Sequence, residues 1–243
     1  MNPNHQSSGF FITGTDTGVG KTLISGALIL KLRETGLKVA GFKPVVAGTY
    51  QALDEYELNE DLETLRLASN MGRDQHNLCP YILKIPAAPH LAAQLQGVNL
   101  NIAVITKAFQ AMSAAFDSVI VEGAGGFLVP LNDREDLGDV TQAIGLPVIL
   151  VVGMRLGCIN HALLTYEALK IRNIEVAGWV ANTLSEEMPL LQENIQTLKD
   201  RIGAPCLGVV PPLPRTLQQQ INAPYSLSAL QFVAEHLNLP KVA

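Results

Sequence analysis

The chain has 243 residues, 48% of them hydrophobic and 16% charged, with a formal net charge of −5. Such a chain can bury a substantial core and is not disordered, and its acidic balance argues against a general nucleic-acid or anionic-membrane surface. Cys79, Cys158 and Cys206 show no metal-ligand spacing and no apolar run is long enough to span a bilayer; with no basic-then-apolar leader at the start, this points to a cytoplasmic protein with reduced thiols.

The first predicted strand is "GFFITG", residues 9–14, apolar throughout as a strand buried on both faces must be. It runs into "TDTGVGKT", which ends like a phosphate-binding loop but is one residue longer than the usual G-x-x-x-x-G-K-[ST], its first glycine being Gly14 and not residue 15. Between a strand and a helix, Gly18, Gly20, Lys21 and Thr22 are placed to bind phosphate through backbone N–H groups, an ammonium and a magnesium-binding hydroxyl. A glycine-rich turn that merely starts a helix is the plainer alternative. The helix is predicted over 20–34, with Leu23, Ala27 and Leu30 on one face and Gly36 as its stop.

"KVAGFKPV", residues 38–45, is the next strand, and Lys43 falls at its carboxyl end. Burial of an ammonium without a partner is costly, so Lys43 either points toward a bound γ-phosphate or snorkels to the surface. Residues 54–69 read as an acidic helix with Leu58, Leu62 and Leu65 as its stripe. Glu60 and Glu63 then face outward, while Asp61 faces inward and needs a cation, a set of hydrogen bonds or a metal, with structural pairing to an arginine such as Arg66 as the competing account. His90, after Pro89, reads as structural at a helix start. A helix over 101–114, with Ile102, Ile105, Phe109 and Met112, leads to the strand "SVIVEG", residues 118–123. Its final acid, Glu122, stands where a carboxylate faces nucleotide-bound magnesium, or else caps a helix; Gly123, Gly125 and Gly126 permit close backbone approach.

The strand "PVILVVG", residues 147–153, precedes a helix over 159–172. Between them Gly157, Cys158, Ile159 and Asn160 leave backbone N–H groups open to an anion, or simply to water. "VAGWVAN" (176–182), a helix over 189–202, "CLGVVP" (206–211) and a helix over 226–237 complete the series. Strand and helix in alternation predict a mostly parallel α/β sheet with helices on both faces, organised as one P-loop-type domain over 1–243, with ligands collecting at the carboxyl ends of the strands.

G-T-D-T-x-V-G-K-T, K-P-V, E-G-A-G-G and "VVGMRLGCINHALLT" followed by "AGWVAN" together resemble the dethiobiotin synthase family, in order from about Phe11 to Pro211. That family has the longer loop. The resemblance implies an ATP-dependent ring closure of 7,8-diaminononanoate with carbon dioxide to give dethiobiotin, in biotin biosynthesis, with Mg2+. It implies Thr17, Gly18, Val19, Gly20, Lys21, Thr22 and Leu23 around the phosphates, with Lys43 and Lys21 catalytic. Thr22, Asp61 and Glu122 become the magnesium ligands, and Gly123, Ala124 and Gly125 line the nucleotide. Asn182, Thr183 and the Pro211, Pro212 and Leu213 segment fall on the adenine side. Ala47 and the Gly157–Asn160 loop fall on the substrate side, the loop reaching across a two-fold homodimer interface. Two positions depart from the pattern: Ala47 stands where some relatives have serine, and Gly18 where an acid is frequent.

The competing reading is a switch-type P-loop ATPase of the partitioning and septum-placement class. Those enzymes usually carry an additional lysine early in the loop, where this chain has Thr15 and Asp16, and often a basic amphipathic tail, of which "SLSALQFVAEHLNLPKVA" shows little. An amidotransferase-type synthetase would need a glutaminase domain and a nucleophilic-cysteine elbow, and neither is seen.

Overall fold

The computed structural model describes residues 8–51, 57–72, 78–185 and 187–240. In chain order these form β1 (Gly9–Gly14), α1 (Lys21–Glu34), β2 (Val39–Phe42), β3 (Val45–Ala47), β4 (Tyr50–Gln51), β5 (Glu57–Leu58) and α2 (Glu60–Ser69). There follow β6 (Tyr81–Leu83), α3 (Pro89–Gln96), α4 (Ile102–Ala115), β7 (Ser118–Glu122), α5 (Leu137–Ile144) and β8 (Val148–Met154). The chain ends with α6 (Cys158–Ile171), β9 (Val176–Thr183), α7 (Leu191–Arg201), β10 (Cys206–Val210) and α8 (Leu227–Glu235).

Six strands pair in parallel in the order β10-β9-β8-β1-β7-β2. The uninterrupted apolar runs of β1, β7 and β8 are buried along their whole length, because helices cover both faces. β1 sits between β7 and β8, so its carboxyl end opens at the middle of the sheet, where the chain crosses from one half to the other. Two short pairs stand apart: β3 with β6 in parallel, and β4 with β5 antiparallel.

All six predicted sheet strands are present, and the predicted helices other than that over 54–69 agree to within a few residues. The strand predicted through Lys43 instead ends at Phe42; the chain breaks at Lys43–Pro44, and β3 joins a separate pair. α1 buries most of its circumference rather than one stripe, because α2 and α8 pack over the sides the sheet leaves open.

The helix predicted over 54–69 begins only at Glu60. Asn59 is the reason: its side chain accepts the N–H groups of Asp61 and Leu62, and its amide donates to Gly48 O at 2.7 Å. Leu58 consequently lies in β5 instead of the helical stripe, and residues 54–56 fall outside the described residues. α5 has no counterpart among the predicted helices. It is short, and its stability rests on a capping box between Asp136 and Asp139 that Arg172 bridges from the far end of α6.

Candidate active site

The loop between β1 and α1 is shaped by contacts beneath it. Gly20 has φ 91°, in the left-handed region, and serves as N-cap of α1 without any side-chain cap. Val19 is buried, with its side chain over Gly14 and Gly153; a Cβ on either glycine would come within 2.7–2.8 Å of it. Ahead of Gly18 the loop runs through Thr15–Thr17. There Asp16 accepts the Thr17 N–H, pairs with Arg155 and takes the Lys21 ammonium on its backbone carbonyl at 2.9 Å.

Thr22 leads from the loop into an ionic cluster in which Lys43 and Glu122 are buried and Asp61 is half-buried. Its Oγ1 lies 2.7 Å from both Asp61 Oδ1 and Glu122 Oε1, while Lys43 Nζ lies 2.7 Å from Asp61 Oδ2 and 2.5 Å from Glu122 Oε1. Each member arrives from a different element: Thr22 from α1, Lys43 from the end of β2, Asp61 from α2, Glu122 from the end of β7. Arg66 is not Asp61's partner; it pairs with Glu63 one helical turn away. Glu122 caps no helix in this arrangement, and Lys43 is buried and paired, so neither plainer alternative holds.

Burial and charge set the titration of this cluster. Burial would push Lys43 down, but the facing Asp61 and Glu122 carboxylates outweigh it and hold the ammonium above its ordinary value. Burial likewise opposes the charge on Asp61, yet the Lys43 ammonium and the Thr22 and Lys43 hydrogen bonds hold its carboxyl below the usual range. Glu122, fully buried, is pushed up by desolvation despite Lys43. Lys21 is brought down to about 8, by burial first and the Lys43 charge second.

A magnesium ion fits these residues. Two carboxylate oxygens converge on one hydroxyl whose single proton can serve one of them at a time, and Glu122 Oε2 is buried with no hydrogen-bond partner. Magnesium typically takes one or two protein carboxylates with phosphate and water filling the rest. Among the described residues no group of three or more His, Cys, Asp or Glu side chains could hold a metal, so this mixed set is the candidate.

The cluster opens into a cavity of about 960 Å³ at the carboxyl ends of the strands. Of the predicted residues, Thr17, Gly18, Gly20, Lys21, Thr22, Leu23, Lys43, Ala47, Asp61, Glu122, Ala124, Gly125, Asn182, Thr183 and Pro211–Leu213 line it. Val19 and Gly123 do not. Val19's side chain points into the sheet, and Gly123 donates its N–H to Ile12 O with its Cα against Phe11. Gly157, Cys158, Ile159 and Asn160 are also not part of this lining. The Cys158 side chain is buried and its N–H is already taken by Arg155 O, which leaves Ile159 and Asn160 as the open donors of that turn.

The sequence reading missed several lining residues. Glu60, expected to face outward, borders the cavity, as do Pro86–Pro89, Gln218, Gln219 and Tyr225. Tyr225 is placed by its N–H, which donates to Thr64 on α2. A C-terminal segment without periodic pattern carries no signal for this; only its proline-rich start hinted at a ligand-side loop.

A family model described as an AAA domain matches residues 8–220. The ATP-dependent dethiobiotin synthetase BioD of Aromatoleum aromaticum is 50% identical over 202 residues, 83% of this chain and 89% of that protein. The protein of the same name from Ralstonia nicotianae is 48% identical over 205 residues, 84% and 89%, and that from Janthinobacterium 44% over 223 residues, 90% and 94%. Among solved structures, the septum site-determining protein MinD from Pyrococcus horikoshii matches with a TM-score of 0.56 at 16% identity, covering 95% of each chain. A ParA family ATPase from Chlorobium tepidum gives 0.54 at 15% identity, covering 95% and 91%. The structural likeness shows a shared P-loop fold and nothing about switching, whereas the sequence relatives are far closer. The chain belongs to the ATP-dependent dethiobiotin synthetase family.

Proposed function

We propose that this enzyme closes the cyclic urea of dethiobiotin from 7,8-diaminononanoate, carbon dioxide and ATP. The observation that carries the reading is the convergence of Lys21, Lys43, Thr22, Asp61 and Glu122 on one cavity behind a phosphate loop. One amine takes up carbon dioxide as a carbamate, an anion that must meet the still more anionic γ-phosphate. Lys21 and Lys43 neutralise that approach, so the protein works by positioning and preorganised charge. The carbamate oxygen attacks the γ-phosphorus and ADP departs, leaving a carbamic–phosphoric anhydride. The second amine then attacks the carbonyl carbon, loses a proton and expels phosphate. No side-chain nucleophile is required.

Thr22, Asp61 and Glu122 would hold the magnesium ion, which supplies charge neutralisation at the phosphate oxygens. In this reading Lys43 has two duties: it is the counter-ion of both acids and, with nucleotide present, a donor to the reacting oxygens. Asn182, Thr183 and the Pro211–Leu213 wall take the adenine side, while Ala47 faces the diamine.

The substrate's distant carboxylate needs a second anchor. The Ile159 and Asn160 N–H groups at the start of α6 suit it, but they are not in this chain's cavity lining. A second copy of the chain would supply them across a two-fold interface. α6 and its approach expose Leu156, Leu164 and Ile171, an unusual set of apolar side chains for a solvated helix.

The test is whether ATP turnover requires both the diamine and bicarbonate, with one ADP formed per cyclic urea. ATPase activity indifferent to the diamine would overturn the assignment, and full activity in a sedimenting monomer would remove the shared site.

A further inference from the structure

Asn182 is expected on the adenine side, yet the hydrogen bond its side chain makes is to the phosphate loop. At the end of β9, buried to within 4% of full exclusion from solvent, it donates its amide to Val19 O at 2.8 Å across 163 residues of sequence. Its amide also lies directly over Gly20, where a Cβ would come within 2.2 Å of Nδ2.

This contact is possible because of what β8 lacks. Gly153 is the register partner of Asn182, and it has no side chain between Asn182 and the loop. A Cβ there would meet Val19 Cγ1 at 2.8 Å, so Val19 can sink onto the sheet only because residue 153 is glycine. With Val19 seated, its carbonyl is buried and turned away from solvent, and a buried carbonyl without a partner is costly. Asn182 is that partner. The carbonyl of the next residue, Gly20, accepts the Ile24 N–H of α1 at 3.0 Å, so the tethered peptide lies immediately before the first helical hydrogen bond.

We infer that Asn182 is a positioning residue for the phosphate loop: its amide fixes the Val19–Gly20 peptide, and thereby holds the N–H groups of the loop in the geometry that receives phosphate. One amide hydrogen serves the loop, and the second hydrogen and Oδ1 remain for an adenine edge. Base recognition and phosphate recognition therefore share one side chain. The inference rests on the reading of this loop as a nucleotide-phosphate site.

Inorganic tripolyphosphate separates the two duties, because it has phosphates and no base. Affinities of the full chain for tripolyphosphate and for ATP are measured by calorimetry in the wild type, in Asn182→Ala and in the near-isosteric Asn182→Leu, should the first fail to fold. Loss of the tether weakens tripolyphosphate binding roughly tenfold, the scale expected when a buried carbonyl loses its donor. Hydrogen exchange in the ligand-free variant also rises at residues 16–22 while the neighbouring strand, residues 118–122, keeps its protection; a merely structural role would raise both together. Unchanged tripolyphosphate affinity alongside weakened ATP affinity would overturn the tether and leave Asn182 a base reader only. A wild type that binds neither ligand would instead overturn the nucleotide reading itself.

Discussion

α1 and α6 both start after a glycine in the left-handed region, Gly20 at φ 91° and Gly157 at φ 94°, and neither start has a side-chain cap. By local geometry alone each is an anion-binding turn. Their surroundings differ completely. Around Gly20 stand Asn182, the Lys21 ammonium and, one residue further, a hydroxyl between the buried Glu122 carboxylate and the half-buried Asp61 carboxylate. Around Gly157 there is solvent: Leu156 is 97% exposed and Asn160 is exposed as well. The turn supplies donors in both places, and at Gly20 the adjacent Lys21 adds one charge; the carboxylates, Lys43 and Asn182 come from distant elements. An α1 start so equipped suits a polyanion undergoing chemistry; an α6 start so bare suits at most a spectator anion, the role that the proposed function gives it.

The largest effect that would sharpen this contrast is at Lys43. Lys43→Gln removes a preorganised donor and should lower kcat by about 10²–10³-fold, read in steady-state ADP release. It also leaves Asp61 and Glu122 facing each other without their cation. The ligand-free variant should therefore melt early, and magnesium with ATP should restore part of the loss, because a ligand that binds only the folded state stabilises it. Normal turnover would sever Lys43 from the chemistry.

Next come the acids. Asp61→Asn and Glu122→Gln keep volume while removing charge, and each should raise the magnesium concentration for half-maximal activity by about 10–100-fold, the range seen when support of a metal site is lost. A variant at Asp61 that melts early but needs no extra magnesium would make that carboxylate a structural partner of Lys43 alone.

A smaller effect concerns Lys21 and pH. With its value brought down to about 8 in the ligand-free protein, its ammonium fraction falls as pH rises through that point. Phosphate requires the ammonium, so ATP affinity should be level below about pH 8 and decline above it, by at most about tenfold per pH unit. Binding near pH 8 should accordingly take up a proton, measurable by calorimetry in buffers of different ionisation heat. Lys21→Met should abolish that uptake; a proton balance unchanged by the substitution would refute the assignment.

The smallest effect belongs to the bare turn. Ile159→Pro removes one N–H donor and should raise the diamine KM about two- to fivefold with ATP affinity unchanged, in keeping with the modest worth of one exposed helix-end donor. An equal loss toward ATP would show the α6 start to be part of the phosphate site after all.

The contrast also explains which parts of the site were legible beforehand. Gly18, Gly20, Lys21 and Thr22 are read from one short stretch, since a strand, a glycine turn and a helix in succession dictate where their donors point. Lys43 and Glu122 were legible because Glu122 closes a buried strand and Lys43 directly follows one, where a charged residue is conspicuous. Asp61 was legible only halfway. Its inward direction follows from helical periodicity, but the choice between Arg66 and Lys43 does not, because one partner is five residues along the same helix and the other belongs to a strand end. The helix boundary failed for a similar reason: Asn59 looks like any polar residue in an acidic stretch until Gly48 is beside it.

By itself, then, the amino-acid order determined the six strands of the main sheet, most of the helices, the phosphate loop and the positions of the two lysines, all properties of apolar period and turn chemistry within a few residues. Tertiary structure alone decided who faces whom: Thr22 with Asp61 across 39 residues, Lys43 with Glu122 across 79, Thr22 with Glu122 across 100, and Asn182 beneath the loop across 163. Those pairings exist because β7 inserts between β1 and β2, and β8 between β1 and β9, bringing strand ends together that the chain itself keeps far apart.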